Sequence, residues 1–256
     1  SIGSLIWDAG AQLNSNSASS RQIWTVGDSY PSGLNNFTTS NLNYLKSEMY
    51  YRVTEGSDSD ATKLINYVRG TDSYDEDNDG NTTEGRWKLG DIYHSELALV
   101  SPPNAIATSS NTYTEAYYRQ SKNYSDFKNS NNNRSSIILA GANDGMLHAF
   151  NTSNGKELWA FIPPSVIQKL RTVVSSKANT TNPIFGVDGS PVVKDIYYNN
   201  KWRTIALTGL GKGGNSYFAL DVTDVQHPTH LFTIMNDPNF KEVSYWDSTG
   251  TKTVYT

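Results

Sequence analysis

A mainly β protein, assembled from antiparallel meanders with a few inserted helices, is what this 256-residue sequence predicts. Three observations lead there. Residues 135–164, "SSIILAGANDGMLHAFNTSNGKELWAFIPP", read as strand, Asn-Asp-Gly turn, strand, Ser-Asn-Gly turn, strand, the signature of consecutive hairpins. The same order returns in "VDGSPVVKDIYYNNKWRTIALTGLGKGGNSYFALDVTD", with Asn199-Asn200 and a Gly-rich run at the turns. Composition agrees: 16 Tyr and 12% aromatics suit pleated strands, while Asn, Ser, Thr and Gly fill the turns between them.

Taken in order, the elements begin with helices. "NLNYLKSEMYYRV" places Leu42, Leu45, Met49 and Val53 at helical spacing. "SDATKLINYVRG" repeats that spacing with Leu64, Ile65 and Val68, with Asp58 or Ser59 as the N-cap and Gly70 as the stop. An acidic loop, residues 73–87, follows. Ile92-x-His94 and Leu97-x-Leu99 then predict short strands that end at Pro102-Pro103. The polar, Asn-rich stretch 120–135 reads as a surface loop or a disordered insertion. After the first meander, Pro163-Pro164-Ser165 opens a helix near 165–176 with Val166, Ile167, Leu170, Val173 and Val174 as its apolar stripe.

The two meanders carry a weak internal repeat. "HAFNTSNGKELWAF" around Ala149 matches "FALDVTDVQHPTHLFTI" around Ala219: apolar approach, Ala, an apolar residue, Asn or Asp, a polar turn and a returning strand. Repeated meanders of four strands are the mark of propeller blades. The fold class is therefore a modified β-propeller of four-stranded antiparallel blades with a few inserted helices, complete or partial. Residues 1–256 form one such domain, whole or in part, with a mixed part over 1–134 and the blades over 135–256.

The bulk properties exclude several classes. Lys and Arg number 21 against 25 acids, a net charge of −4 with no basic tract, so nucleic acid is not the expected partner. There is no Cys, which removes disulfides, thiolate metal sites and Cys nucleophiles together. No apolar run reaches the roughly 20 residues of a membrane span. The low charged fraction of 18%, with abundant Tyr, Thr and Asn, reads as a β-rich extracellular protein.

One stretch promises inorganic chemistry. Asp75, Asp77 and Asp79 alternate before Gly80, and Glu84 closes the run. Calcium takes six to eight hard oxygens, and alternating carboxylates on a curled loop offer three from one side. Gly80 permits a left-handed turn that lets the Asn81 carbonyl point inward. The opening is that of an EF-hand loop, but its twelfth position is Arg86, and the acid stands at the tenth as Glu84. The expected metal ligands are Asp75, Asp77, Asp79, Asn81 and Glu84, holding Ca2+; the alternative is a solvated acidic loop. Crowded carboxylates without a cation repel one another, which favours calcium.

Other motifs read as structural. "GLGKGG" matches the dinucleotide fingerprint but precedes a strand, so it is a turn. Trp159 in "AFNTSNGKELW" resembles the docking Trp of quinoprotein propellers and reads as a blade-locking core residue. His227-x-x-His230 straddles Pro228 and reads as a surface pair. Ser190 lacks a nucleophile elbow and reads as a turn residue. No acid pair, triad or phosphate loop emerges, which points to a non-enzymatic role.

"WDAGAQLN", "RQIWT", "LINYVRG", "LGDIYHS", "GANDGMLHAFN", "GKELWAFIPP", "VDGSPVV" and "GLGKGGNSYFALDVTD" stand in an order that resembles the PilY1/PilC family of type IV pilus proteins. That resemblance implies a modified propeller from a large secreted protein at the pilus tip or outer membrane surface of a Gram-negative bacterium. It implies support of pilus extension, surface attachment and twitching motility, modulated by calcium. Asp75, Asp77, Asp79 and Asn81 look like the family's calcium loop, with Thr83 and Glu84 in place of a terminal Asp. The implied partners are pilin subunits or pilus tip proteins, and a host surface receptor or abiotic surface. The runner-up readings are a quinoprotein-like oxidoreductase and a metal-free outer-membrane assembly scaffold.

Overall fold

Eleven strands and six helices follow one another in the computed structural model, which describes residues 5–27, 33–54 and 56–256. The strands form two sheets, neither of them closed. The first contains β1 (Ile23–Trp24), β2 (Ala98–Val100), β3 (Ile137–Gly141), β4 (Leu147–Asn151) and β5 (Glu157–Phe161) in the order β1-β5-β4-β3-β2. Its β3-β4-β5 meander is antiparallel, and β1 joins β5 in parallel, with Ile23 opposite Ala160. The N-terminal half thus supplies both edge strands. The second sheet is an unbroken meander of β6 (Val192–Tyr198), β7 (Lys201–Gly209), β8 (Ser216–Asp221), β9 (Thr229–Asp237), β10 (Glu242–Trp246) and β11 (Lys252–Tyr255).

The internal repeat is a structural one. Ala149 pairs with Trp159 across β4 and β5, and Ala219 pairs with Phe232 across β8 and β9. A bulge follows the alanine in both sheets, between Ala149 and Phe150 and between Ala219 and Leu220. The small side chain leaves room for the opposing ring, and the bulge re-aims the strand before its turn. Trp159 is fully buried and donates its Nε1–H to the Val225 carbonyl at 2.9 Å, in the β8–β9 connection of the other sheet. It locks the two sheets together, as its motif predicts.

Helices pack against both sheets. They are α1 (Ala9–Ser15), α2 (Leu42–Met49), α3 (Asp58–Arg69), α4 (Glu115–Ser121), α5 (Tyr124–Ser130) and α6 (Pro164–Leu170). Leu45 and Met49 of α2, Leu64 and Ile65 of α3, and Val166, Ile167 and Leu170 of α6 share one core with Trp24, Trp159, Phe161 and Phe218. Phe161 of the first sheet lies 5.3 Å from Phe218 of the second, so the core runs across both sheets. The "GLGKGG" run is a short 3₁₀ turn ahead of β8, not a helix start. A Cβ on Gly213 would lie 1.7 Å from the Gly186 carbonyl, so glycine there serves close backbone approach.

Four sequence expectations need correction. The N-cap of α3 is Ser57, not Asp58 or Ser59: its side chain accepts from Asp60 N while the Asp60 carboxylate accepts from Ser57 N, a reciprocal capping box. Residues 92–94 form no strand; there His94 Nδ1 bonds the Asp188 carboxylate at 2.6 Å, and only Ala98–Val100 pairs with β3. The stretch 120–135 is no loop, because α4 and α5 form a helical hairpin across it. Tyr124 is fully buried against Trp202 of β7, ring centroids 4.8 Å apart, and Trp202 Nε1 donates to the Lys122 carbonyl. That anchor lies far along the chain, invisible to local composition. His230 is not a surface residue: it is 4% exposed within β9, and its Nε2 meets Thr233 Oγ1 at 2.8 Å.

Candidate metal centre

Helix α3 delivers the acidic loop. Gly70 ends the helix at φ 114°, where a non-glycine residue would be strained, and the chain turns at once into a narrow neck. Thr71 bridges Gly85, Asp72 N donates to Glu84 O at 2.8 Å, and Arg86 N donates to Gly70 O at 3.0 Å. Residues between these points close into a loop with both ends fixed.

Inside it, short side chains organise the backbone. Asp75 and Asn78 adopt left-handed φ of 54° and 60°, which acidic and amide residues tolerate through local hydrogen bonds. Gly80 N donates to Asp75 Oδ1 at 2.9 Å, and Asn81 N donates to Asp79 Oδ1 at 2.7 Å. Gly80 itself sits at φ 85° with open space where a side chain would stand. The chain therefore curls so that its alternating carboxylates converge.

Two groups of acids result. Asp75, Asp77 and Asp79 place one carboxylate oxygen each within 4.8 Å of one another; Asp72, Asp77 and Glu84 do the same. Two ligands at about 2.4 Å from one calcium ion stand at most about 4.8 Å apart, so both sets have the spacing a cation requires. Asp77 belongs to both. The structure thus brings together four of the residues expected from sequence, but in two overlapping sets. Asn81 stands apart: its Oδ1 accepts from Thr83, and its Nδ2 donates to Glu84 Oε2 at 3.3 Å.

The electrostatics of the loop match its crowding. The Asp79 carboxylate, with Asp77 beside it, holds the Glu84 carboxyl above its usual range. No Lys or Arg ion pair is formed by Asp75, Asp77, Asp79 or Glu84 among the described residues. A divalent cation would supply the missing countercharge. All the donors are hard oxygens, as calcium prefers.

Sequence reading missed Asp72 and the loop's tethers. Asp72 is 4% exposed and lies across the neck from Glu84, a relation that exists only once Thr71 and Gly85 pair. Asn179 Nδ2 donates to Asp75 O at 2.7 Å and Asp75 Oδ2 at 2.6 Å, while Tyr67 and Thr181 hydroxyls both bond Glu76 Oε1. No spacing rule joins positions so far apart. Among the described residues the histidines form no metal set: His227 is exposed beside Asp224, and His230 is buried.

Two open, mainly antiparallel sheets locked by a buried Trp, with an acidic loop at the end of a capped helix, define a propeller-type module. The sequence comparisons assign its family. The PilY1 beta-propeller domain model matches residues 89–242, and the chain belongs to that family. It is 32% identical over 221 residues to the type IV pilus biogenesis factor PilY1 of Pseudomonas aeruginosa strain UCBPP-PA14, covering 85% of this chain and 18% of that protein. It is 35% identical over 167 residues to a PilY1 homolog of Xylella fastidiosa, covering 65% of this chain and 13% of that one. The chain therefore spans less than a fifth of the length of these relatives. The crystal structure of the Pseudomonas aeruginosa PilY1 C-terminal domain is similar at 27% identity and TM-score 0.40, over 62% of this chain and 37% of that one. Among the described residues, no helix is long and apolar enough to cross a membrane.

Proposed function

We propose that this chain is the calcium-modulated propeller module of a type IV pilus biogenesis factor and tip adhesin. The observation that carries the calcium half is the convergence of Asp75, Asp77 and Asp79 within 4.8 Å on a loop pinned at both ends. Family membership and the names of the relatives support the pilus half. In this reading Asp75, Asp77, Asp79 and Glu84 hold Ca2+ with Asp72, and the Asn81 carbonyl is a further oxygen in reach of the loop. The ion supplies positive charge that relieves carboxylate repulsion and stiffens residues 72–84. The stiffened loop presents a defined surface to pilin subunits or other pilus tip proteins, and to a host surface receptor or abiotic surface. The site of action is extracellular, at the pilus tip or outer membrane surface of a Gram-negative bacterium, and the role is non-catalytic.

Extracellular calcium modules typically bind with Kd of about 10⁻⁴ to 10⁻³ M, so occupancy would follow external calcium. A strain carrying Asp77→Ala and Asp79→Ala in the full-length protein is expected to lose twitching motility and surface attachment while still producing the protein. Normal piliation, attachment and motility in that strain contradict the proposal.

A further inference from the structure

A cavity of about 950 Å³ opens beside the metal loop, between helices α2 and α3 and the segment 174–180. Its charge is opposite to that of the molecule. Among the described residues that line it, Lys63, Arg171 and Lys177 face a single carboxylate, Asp60, in a chain whose net charge is −4. Asp60 is already engaged: its Oδ2 accepts from Ser57 N at 3.1 Å and Ser57 Oγ at 2.8 Å in the capping box of α3. Asp60 keeps its charge and is offset by Lys63, while Arg171 and Lys177 form no ion pair among the described residues.

Arg171 is the informative member. It follows directly on α6, whose Val166, Ile167 and Leu170 are fully buried, and it opens a 3₁₀ turn fixed by buried Val173. The guanidinium is therefore presented from the core, not from a mobile surface stem. Its Nε is buried and has no hydrogen-bond partner. A half-buried guanidinium with an unsatisfied donor is costly, and a planar carboxylate is the group that its fork of donors fits. Lys63 Nζ lies 4.6 Å from the Tyr74 ring, which holds a second positive charge at the cavity wall.

The remaining wall is polar and aromatic. Tyr50 and Tyr74 offer half-buried rings, and the Ser175 and Thr180 hydroxyls are hydrogen-bonded to each other at 3.0 Å. Rings that can lie against the C–H face of a pyranose, hydroxyls for its oxygens and two cations for a carboxylate define one ligand chemistry. The volume exceeds what a simple inorganic anion would fill. We propose that this cavity binds an acidic sugar, with Arg171 and Lys63 holding its carboxylate and Tyr50 and Tyr74 flanking its ring. This assignment stands on the cavity alone and requires no metal on the neighbouring loop.

Calorimetric titration of the chain with D-glucuronate and N-acetylneuraminate, in chelator and again in calcium, tests it; glucose, acetate and inorganic phosphate serve as controls. At least one acidic sugar is expected to bind saturably, with glucose silent and acetate and phosphate at least tenfold weaker. Arg171→Gln and, separately, Lys63→Gln are expected to weaken binding tenfold or more, with thermal unfolding recorded for each to show that it folds. Absence of saturable binding by both acidic sugars overturns the assignment. So does equal binding of acetate or phosphate, which marks a simple anion site, and so does undiminished affinity in both folded variants. Binding that is the same in chelator and calcium leaves the cavity assignment intact and bears only on the metal.

Discussion

His148 is fully buried between two acids, its Nδ1 2.9 Å from Glu157 Oε2 and its Nε2 3.0 Å from Asp144 Oδ2. Ionised carboxylates only accept, so both ring nitrogens must donate and the ring must be an imidazolium. Burial pushes its pKa down, but Asp144 and Glu157 outweigh burial and raise it to about 9. Arg21 completes the chain with a 2.9 Å ion pair to Glu157 and a bond to the Arg69 carbonyl, tying the N-terminal segment and α3 to the first sheet. Because the folded value lies above the unfolded value of about 6.5, the stabilisation is complete below that pH and is lost as pH rises through about 9. Denaturant unfolding between pH 6 and pH 10 should show that decline, and His148→Ala should destabilise by about 3–5 kcal/mol by leaving the buried Asp144 carboxylate without its cation, while Glu157 keeps Arg21. A flat stability profile across that range would refute the charged relay.

At the scale of elements, the decisive contact is the one between sheets. Trp159 contributes both a large buried ring, set at 6.5 Å from Trp24, and the hydrogen bond to Val225. Trp159→Phe keeps much of the ring and is expected to cost about 1–3 kcal/mol, largely for the stranded Val225 carbonyl. Trp159→Ala adds a cavity and is expected to cost about 3–5 kcal/mol. A Trp159→Phe variant with an unchanged urea midpoint would show that the hydrogen bond to Val225 does not hold the sheets together. These elements also show what can be read from sequence. The hairpins were legible because turn chemistry is local: Asn199 and Asn200 take the left-handed φ of 49° and 59° that a two-residue turn demands. The Ala149 and Ala219 repeat was legible because each alanine faces a large ring on the next strand. The α4–α5 hairpin was not, since its anchor Tyr124 depends on Trp202 from a distant strand. His230 was misread for a related reason: Pro228 marks a turn, but nothing local says that β9 starts one residue later and carries His230 into the core.

For the whole molecule, the acidic loop was legible as a run of alternating carboxylates, and its setting was not. The neck that brings Asp72 to Glu84 and the bonds from Asn179 and Thr181 to Asp75 and Glu76 exist only in the assembled fold. Those bonds join the loop to segment 174–181, most of which also walls the basic cavity, so the acidic loop and the cavity share one piece of backbone. The central claim is that this loop holds calcium, and calorimetric titration of Ca2+ into chelator-treated protein tests it most directly, with Asp77→Ala, Asp79→Ala alongside. Saturable binding with Kd of about 10⁻⁴ to 10⁻³ M, abolished in the variant, is the predicted result. No calcium heat in the unaltered protein, or equal binding by the folded variant, would make residues 73–87 a solvated acidic loop and contradict the account.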